Sequence, residues 1–197
     1  LRLVGSEMCI RDSLTGGSHY GVLQTEKVAI SSIAVEMTNT TIANTGVKAA
    51  TIFRTNTKQG NVSLVVKNCT FYNLFSGEAL MRDIIGGTNS FTAENILFAG
   101  SGSVKIFNKT SDAPGIINGS KIYSSSDLTV ANAGEVSTTA LSYSSSQLFP
   151  NASSSTDVLD LTFGADIPNE VKIIGDPEKE TTRDCIYVSY KNFVGDL

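Results

Sequence analysis

The chain holds no tryptophan, one histidine, three cysteines and four prolines in 197 residues. Each scarcity excludes something. A Ser-His-Asp arrangement would have to use His19, which has no supported partner and reads as a loop residue. Cys9, Cys69 and Cys185 form no CxxC pair, so no zinc or redox motif is present. Charged residues make up only 17%, and the net charge of −4 excludes a strongly basic nucleic-acid binder. No apolar run approaches the ~18 residues of a membrane-spanning helix. What is abundant is Ser (24), Thr (20), Asn (14) and Gly (17), a composition of strands and turns. Apolar residues at 41% are enough for a core and argue against disorder. The length suits one domain, or a domain with a tail.

Both ends are set apart. Residues 1–13, LRLVGSEMCIRDS, resemble a translated sequencing-adapter peptide and are excluded from fold reasoning, Cys9 with them. The remainder is then expected to be a C-terminal fragment, with any secretion signal lying upstream. Residues 180–197 contain DCIYVSY, which alternates like a strand. A genuine strand and a read-through extension both stay open there.

Four segments between these ends share one pattern, apolar-x-apolar-x-Asn-x-x-apolar-x-Asn/Gly. They begin at Val35, Leu64, Phe91 and, in degenerate form, Gly115, at spacings of 29, 27 and 24 residues. A second short apolar segment follows each: Thr51–Arg54, Leu80–Arg82, Val104–Phe107 and Leu128–Val130. A period in the twenties with two or three strands per repeat predicts stacked coils. One coil cannot bury its single apolar face; stacking aligns equivalent positions and closes a common core. Positions i, i+2 and i+7 are expected inward. Asn at i+4 suits a bend, so Asn39, Asn68 and Asn95 are expected to form an internal ladder, with Gly119 in that place in the fourth unit. Period-two alternation and β-branched residues exclude helices.

NCTFYNLFSG with its preceding LVVK resembles the right-handed parallel β-helix domains of the pectate-lyase-like superfamily. The resemblance is to domains of unknown function in secreted or surface proteins of Bacteroidetes, near chondroitinase-B-like and alginate-lyase-like β-helices. The stretch 142–179, ending in Gly175-Asp176-Pro177, is similar to the closing segment of those domains, with Glu178 and Lys179 where Arg-Trp is usual. The resemblance covers about residues 28–179. It implies an all-β right-handed parallel β-helix (solenoid) with coils over 14–134, a Ser-rich terminal loop and cap over 135–179, and an uncertain tail over 180–197. It also implies an extracellular or outer-surface location. The apolar residues Leu148, Phe149, Val158, Leu159, Leu161 and Phe163 are expected to cover the open edge of the last coil.

Charge is uneven. Residues 47–121 carry eight Lys and Arg against four Asp and Glu, a net +4, leaving −8 for the rest. A positive coil body suits an anionic polysaccharide. Arg54 and Arg82 stand 28 residues apart in successive coils, with Lys105 near the equivalent place in the next, so these three are the expected glycan contacts. An ordinary solvated face explains the same residues. The row 38/67/94/118 has no consistent sign.

A lyase reading needs a base, a cation for the developing enolate and a proton for the leaving oxygen. Lys67, Arg82 and Lys105 are the candidate bases, although a guanidinium needs an unusual environment to serve. Calcium enters only under that reading, and the four coil acids do not cluster. Otherwise no cofactor or metal is expected. Glu78 and Asp83 are close in sequence, but a salt-bridge or turn role suits them better than a glycosidase pair. Cys69 reads as a packing or surface thiol. Six Asn-x-Ser/Thr sequons, at Asn39, Asn61, Asn68, Asn108, Asn118 and Asn151, follow from composition and structure. The expected role is a non-catalytic, monomeric β-helix contacting polysaccharide. A lyase fragment acting by β-elimination and a purely structural or adhesive solenoid are the alternatives.

Overall fold

A computed structural model describes residues 2–3, 14–15, 23–26, 32–44, 52–56, 61–73, 79–82, 89–108, 115–131, 136–152, 159–183 and 185–189. The first strands are β1 (Arg2–Leu3), β2 (Leu14–Thr15) and β3 (Leu23–Glu26). The repeats follow as β4 (Ser32–Asn44), β5 (Phe53–Asn56), β6 (Asn61–Tyr72), β7 (Ala79–Arg82), β8 (Asn89–Ala99), β9 (Gly102–Asn108), β10 (Gly115–Ser124), β11 (Leu128–Ala131) and β12 (Thr138–Ala140). From β3 to β12 the chain alternates between two sheets. The larger runs β12-β10-β8-β6-β4-β15-β2, with β1 also on β4; the smaller runs β11-β9-β7-β5-β3. β15 is Cys185–Ser189. Every pairing in both sheets is parallel. The protein is therefore mostly strand, all-β and built on parallel sheets, an arrangement compatible with a β-helix-like solenoid.

The sequence repeat is visible as register. Val35 pairs with Leu64, and Leu64 with Phe91, matching the first three units. Phe91 pairs with Ile117 rather than Gly115. The fourth unit thus begins two residues later than the sequence pattern suggests. Lys121, not Gly119, takes the Asn position, and Gly119 falls at i+2. The row read as 38/67/94/118 ends on Ser120 instead.

Position i+4 makes the bend. Asn39, Asn68, Asn95 and Lys121 have φ of 47°, 52°, 53° and 54°. Asn enters this left-handed region more readily than other side-chain-bearing residues. One left-handed residue resets the strand alternation, so i+2 and i+5 both face inward although three apart. Cys69 and Ile96, at i+5, are fully buried, as are Leu64, Val66 and Phe71. Phe71 stacks on Phe98 across adjacent rungs, with centroids 5.5 Å apart. Each such ring removed from water contributes ~1.5–3 kcal/mol. The i+2 row shrinks along the stack, through Met37, Val66, Ala93 and Gly119. Val136 fills the space left by the missing side chain, because a Cβ on Gly119 would collide with it.

The described residues between β12 and β15 fold along the outer side of the larger sheet. This lobe has α1 (Ser145–Leu148), β13 (Leu161–Thr162), α2 (Asn169–Lys172) and β14 (Thr182–Arg183), with β13 and β14 antiparallel. Leu148, Phe149, Leu161, Phe163, Ile167, Val171 and Ile174 bury against Ala43, Leu97 and Ala99 from the outer side of the larger sheet. Tyr72 meets Phe149 edge-on at 6.0 Å. The lobe's described apolar residues thus pack laterally, on an outer face to which Ala43, Leu97 and Ala99 contribute, with Tyr72 and Tyr123 beside them. Val158 lies outside the described residues, as do residues 4–13 of the stretch that was set apart.

Candidate functional site

Three places carry chemistry: the bend row, the smaller sheet and the root of the lobe. At the bends, Asn95 Nδ2 donates to Asn68 Oδ1 at 2.9 Å. The same amide reaches the lobe: Nδ2 lies 3.4 Å from the carbonyl of Ile173, and Oδ1 accepts from the N–H of Gly175 at 3.3 Å. Asn39 shares the backbone geometry, but its Oδ1 is buried with no hydrogen-bond partner among the described residues. The side-chain ladder is therefore one rung-to-rung bond long. Gly175 has φ +80°, and a Cβ there would stand 2.9 Å from the Cys69 carbonyl oxygen and from Leu97 Cβ. Only glycine lets the lobe come this close.

Cys69 lies beneath that contact, 0% exposed, and its thiol donates to the Lys67 carbonyl at 3.1 Å. Burial pushes its pKa up to about 12, with the Asp176 charge adding to the rise and hydrogen bonds at Thr40 and Lys67 opposing it. The nucleophile is the thiolate. This sulfur is therefore a packing group, not a reactive one.

The smaller sheet puts Arg54 opposite Arg82, in register on neighbouring strands about 4.8 Å apart. Gln24 precedes them in the row and Asn108 follows. Lys105 is not in it. It pairs with Ala79, three positions before Arg82, so the expected three-residue row contains only the two arginines. Lys105 is itself exposed. Lys67, the other candidate base, forms an ion pair with Glu94 on the next rung of the larger sheet, Nζ to Oε2 3.7 Å. Both side chains are nearly half exposed, so the pair contributes little to stability. Structure does not bring Lys67, Arg82 and Lys105 together: Lys67 is on β6 of one sheet, the other two on β7 and β9 of the other.

The lobe is fixed by two buried charges, Arg183 and Asp176, and one exposed acid, Asp127. Arg183 is 2% exposed; its Nη2 donates to the carbonyls of Lys172 at 2.5 Å and Ile174 at 2.8 Å. Its guanidinium carbon lies 5.0 Å from the Phe163 ring centroid. Burial pulls its pKa down to about 10, with the Asp176 charge opposing the shift. Burial also holds the Asp176 carboxyl above its usual range, although it accepts the N–H of Glu178 at 3.1 Å. Burial would likewise raise Asp127, but hydrogen bonds from Ser145 and Ser125 outweigh it and leave its pKa lowered. Asp127 thereby holds the start of α1, accepting both the N–H and the hydroxyl of Ser145.

No group of three or more His, Cys, Asp and Glu that would hold a metal occurs among the described residues. No helix there is long and apolar enough to cross a membrane. His19, Glu78, Asp83 and Cys9 lie outside the described residues. Sequence reasoning missed Lys121 as the fourth bend residue and Asn95 as the anchor for the lobe. Aligning the fourth unit on Ile117-x-Gly119 and Ile122 would have found the first; nothing local signals the second. The chain matches no family model, no curated protein and no solved structure.

Proposed function

We propose that this protein is a right-handed parallel β-helix of the pectate-lyase-like kind, secreted or displayed at a cell surface, that contacts anionic polysaccharide without cleaving it. One observation carries the reading. The strands of the smaller sheet carry Arg54, Arg82 and Lys105 against a single acid, Glu26, and among the described residues the lobe's apolar cluster takes none from that sheet. A polymer lying across successive strands would meet the Arg54 and Arg82 positions in register on β5 and β7. Guanidinium groups pair with carboxylate and sulfate in fixed, bidentate geometry.

The test is electrophoresis through gels cast with polyuronate, sulfated or neutral polysaccharide, at low and high salt. Retardation by the anionic polymers alone is expected, weakening as salt screens the contacts. Arg54→Ala with Arg82→Ala should abolish it, and Lys105→Ala should reduce it. Unchanged retardation of the double variant would remove this face. Growth of ultraviolet absorbance from unsaturated ends, with calcium present, would replace the binding reading with a lyase. No glycan selectivity, with charge reversal tolerated on every row, would leave a structural or adhesive solenoid.

A further inference from the structure

We propose that the Asp176–Pro177 peptide bond is a self-cleavage site, set up by the fold, whose two products, residues 1–176 and 177–197, stay together. The inference does not depend on the glycan reading. Asp176 is 4% exposed, and Pro177 after it is exposed. Asp176 Oδ1 accepts the N–H of Glu178 at 3.1 Å, closing a ring that contains the bond between the Asp176 carbonyl carbon and the Pro177 nitrogen. The Asp176 carbonyl oxygen accepts the N–H of Lys179 at 3.3 Å. Gly175 seats this turn: its N–H bonds Asn95, and it leaves no room for a Cβ beside Cys69 and Leu97. A carboxyl, a polarised carbonyl and an exposed leaving residue thus share one anchored turn.

The chemistry needs the chain and one water. A carboxyl oxygen of Asp176 attacks the carbonyl carbon of its own residue and closes a cyclic anhydride. The C–N bond breaks, and the carboxyl proton passes to the Pro177 nitrogen, which leaves as a secondary amine. Water then opens the anhydride, and Asp176 ends with two carboxyl groups. Holding the acid against its own peptide group makes the attack intramolecular. The Lys179 N–H faces the oxygen on which charge develops. Proline supplies a tertiary amide with no N–H. The acid must carry its proton: burial and the Glu178 charge favour the neutral form, while Arg183 and Lys179 oppose it. Cys69, Thr70, Asn95 and Leu97, which meet the turn from β6 and β8, are uncharged. Each product keeps its own anchors. Asn95 holds Gly175 on one side; on the other, Arg183 bonds the Lys172 and Ile174 carbonyls and β15 pairs with β4.

Incubating the purified full chain with protease inhibitors, at mildly acidic and at neutral pH, tests this. Denaturing electrophoresis and intact-mass spectrometry should show the two pieces accumulating by first-order kinetics at any protein concentration. Their masses should sum to the parent plus one water, and native size exclusion should still show one species. The rate should be several-fold higher at the acidic pH. Pro177→Ala, at an exposed site, should slow cleavage several-fold, and Asp176→Asn should lose it. If Asp176→Asn fails to fold by circular dichroism, Pro177→Ala still decides, as does the parent in urea, where cleavage at the same pH should be several-fold slower. No cleavage at either pH overturns the proposal. So does an equal rate in urea, which would be the ordinary acid lability of an Asp-Pro bond. So do an unchanged rate in Pro177→Ala and pieces that part under native conditions.

Discussion

Replacing Asn95 by Gly and by Ala separates the two contributions of one side chain. Asn95 sits at φ 53° and makes three polar contacts: to Asn68 at 2.9 Å, to the Ile173 carbonyl at 3.4 Å and from the Gly175 N–H at 3.3 Å. A well-formed hydrogen bond contributes a net ~1 kcal/mol, and the two long ones about half that each. Asn95→Gly keeps the bend and loses the bonds, a cost of about 2 kcal/mol. Asn95→Ala loses the bonds and also forces a Cβ into the left-handed region, which costs ~1–2 kcal/mol, partly offset by the lower chain entropy of Ala when unfolded. The expected loss for Ala is therefore about 3 kcal/mol. For a chain of this size, 1 kcal/mol moves Tm by ~2–4 °C, so the two variants should melt about 6 °C and about 9 °C below the parent. Urea unfolding followed by circular dichroism supplies the free energies. Ala as stable as Gly would refute the left-handed bend. Both variants within ~0.5 kcal/mol of the parent would refute the amide's role in joining rung to rung and rung to lobe.

Three further outcomes follow from the same geometry. Lys121→Asn, at φ 54°, should raise stability by ~1 kcal/mol, since Asn tolerates the conformation and its amide would face Asn95; a lower Tm would contradict the revised alignment. Phe71→Asp, at a site 0% exposed, should abolish the cooperative transition, because it buries an unpaired charge; a melt like the parent's would mean that this row faces outward. Cys69 should resist thiol reagents in the native protein and react fully in urea. Its pKa is raised from 9.0 to about 12, so the folded state prefers the proton; the stability this contributes is complete below pH 9 and is lost as pH rises toward 12. Cys69→Ala should flatten that alkaline decline, and an unchanged profile would assign it to other groups.

The rungs were legible because their physics is local. A period-two apolar pattern with Asn at one phase states where the strand bends, and three of the four units carry it in register. The fourth unit lies two residues beyond its apparent start, because Lys121 replaces the marker and Gly119 resembles a turn residue while lying within β10. The inward role of Cys69 was hidden for a related reason: the bend resets alternation, so counting by twos across Asn68 gives the wrong face. The lobe was legible as apolar and not as lateral. Its seat depends on Gly175 meeting Leu97 and Asn95, residues about eighty positions away. The pairing of β15 with β4 is equally nonlocal, joining Cys185 to Thr41. Of the charged row, the Arg54–Arg82 match follows from the repeat spacing, whereas Lys105 stands three positions before Asn108, the residue that Arg82 pairs with.

Parallel register is the claim on which the ladder, the cation-bearing sheet and the lobe's seat all rest. Solution NMR on uniformly labelled protein tests it most directly, through proton–proton contacts between neighbouring strands. The account predicts cross-rung contacts linking Leu64 to Phe91 and Val66 to Ala93, a constant offset of 27 residues, with amide-to-α-proton contacts and no close α-to-α pairs. Close α-to-α contacts between β6 and β8, or any other offset, would contradict it.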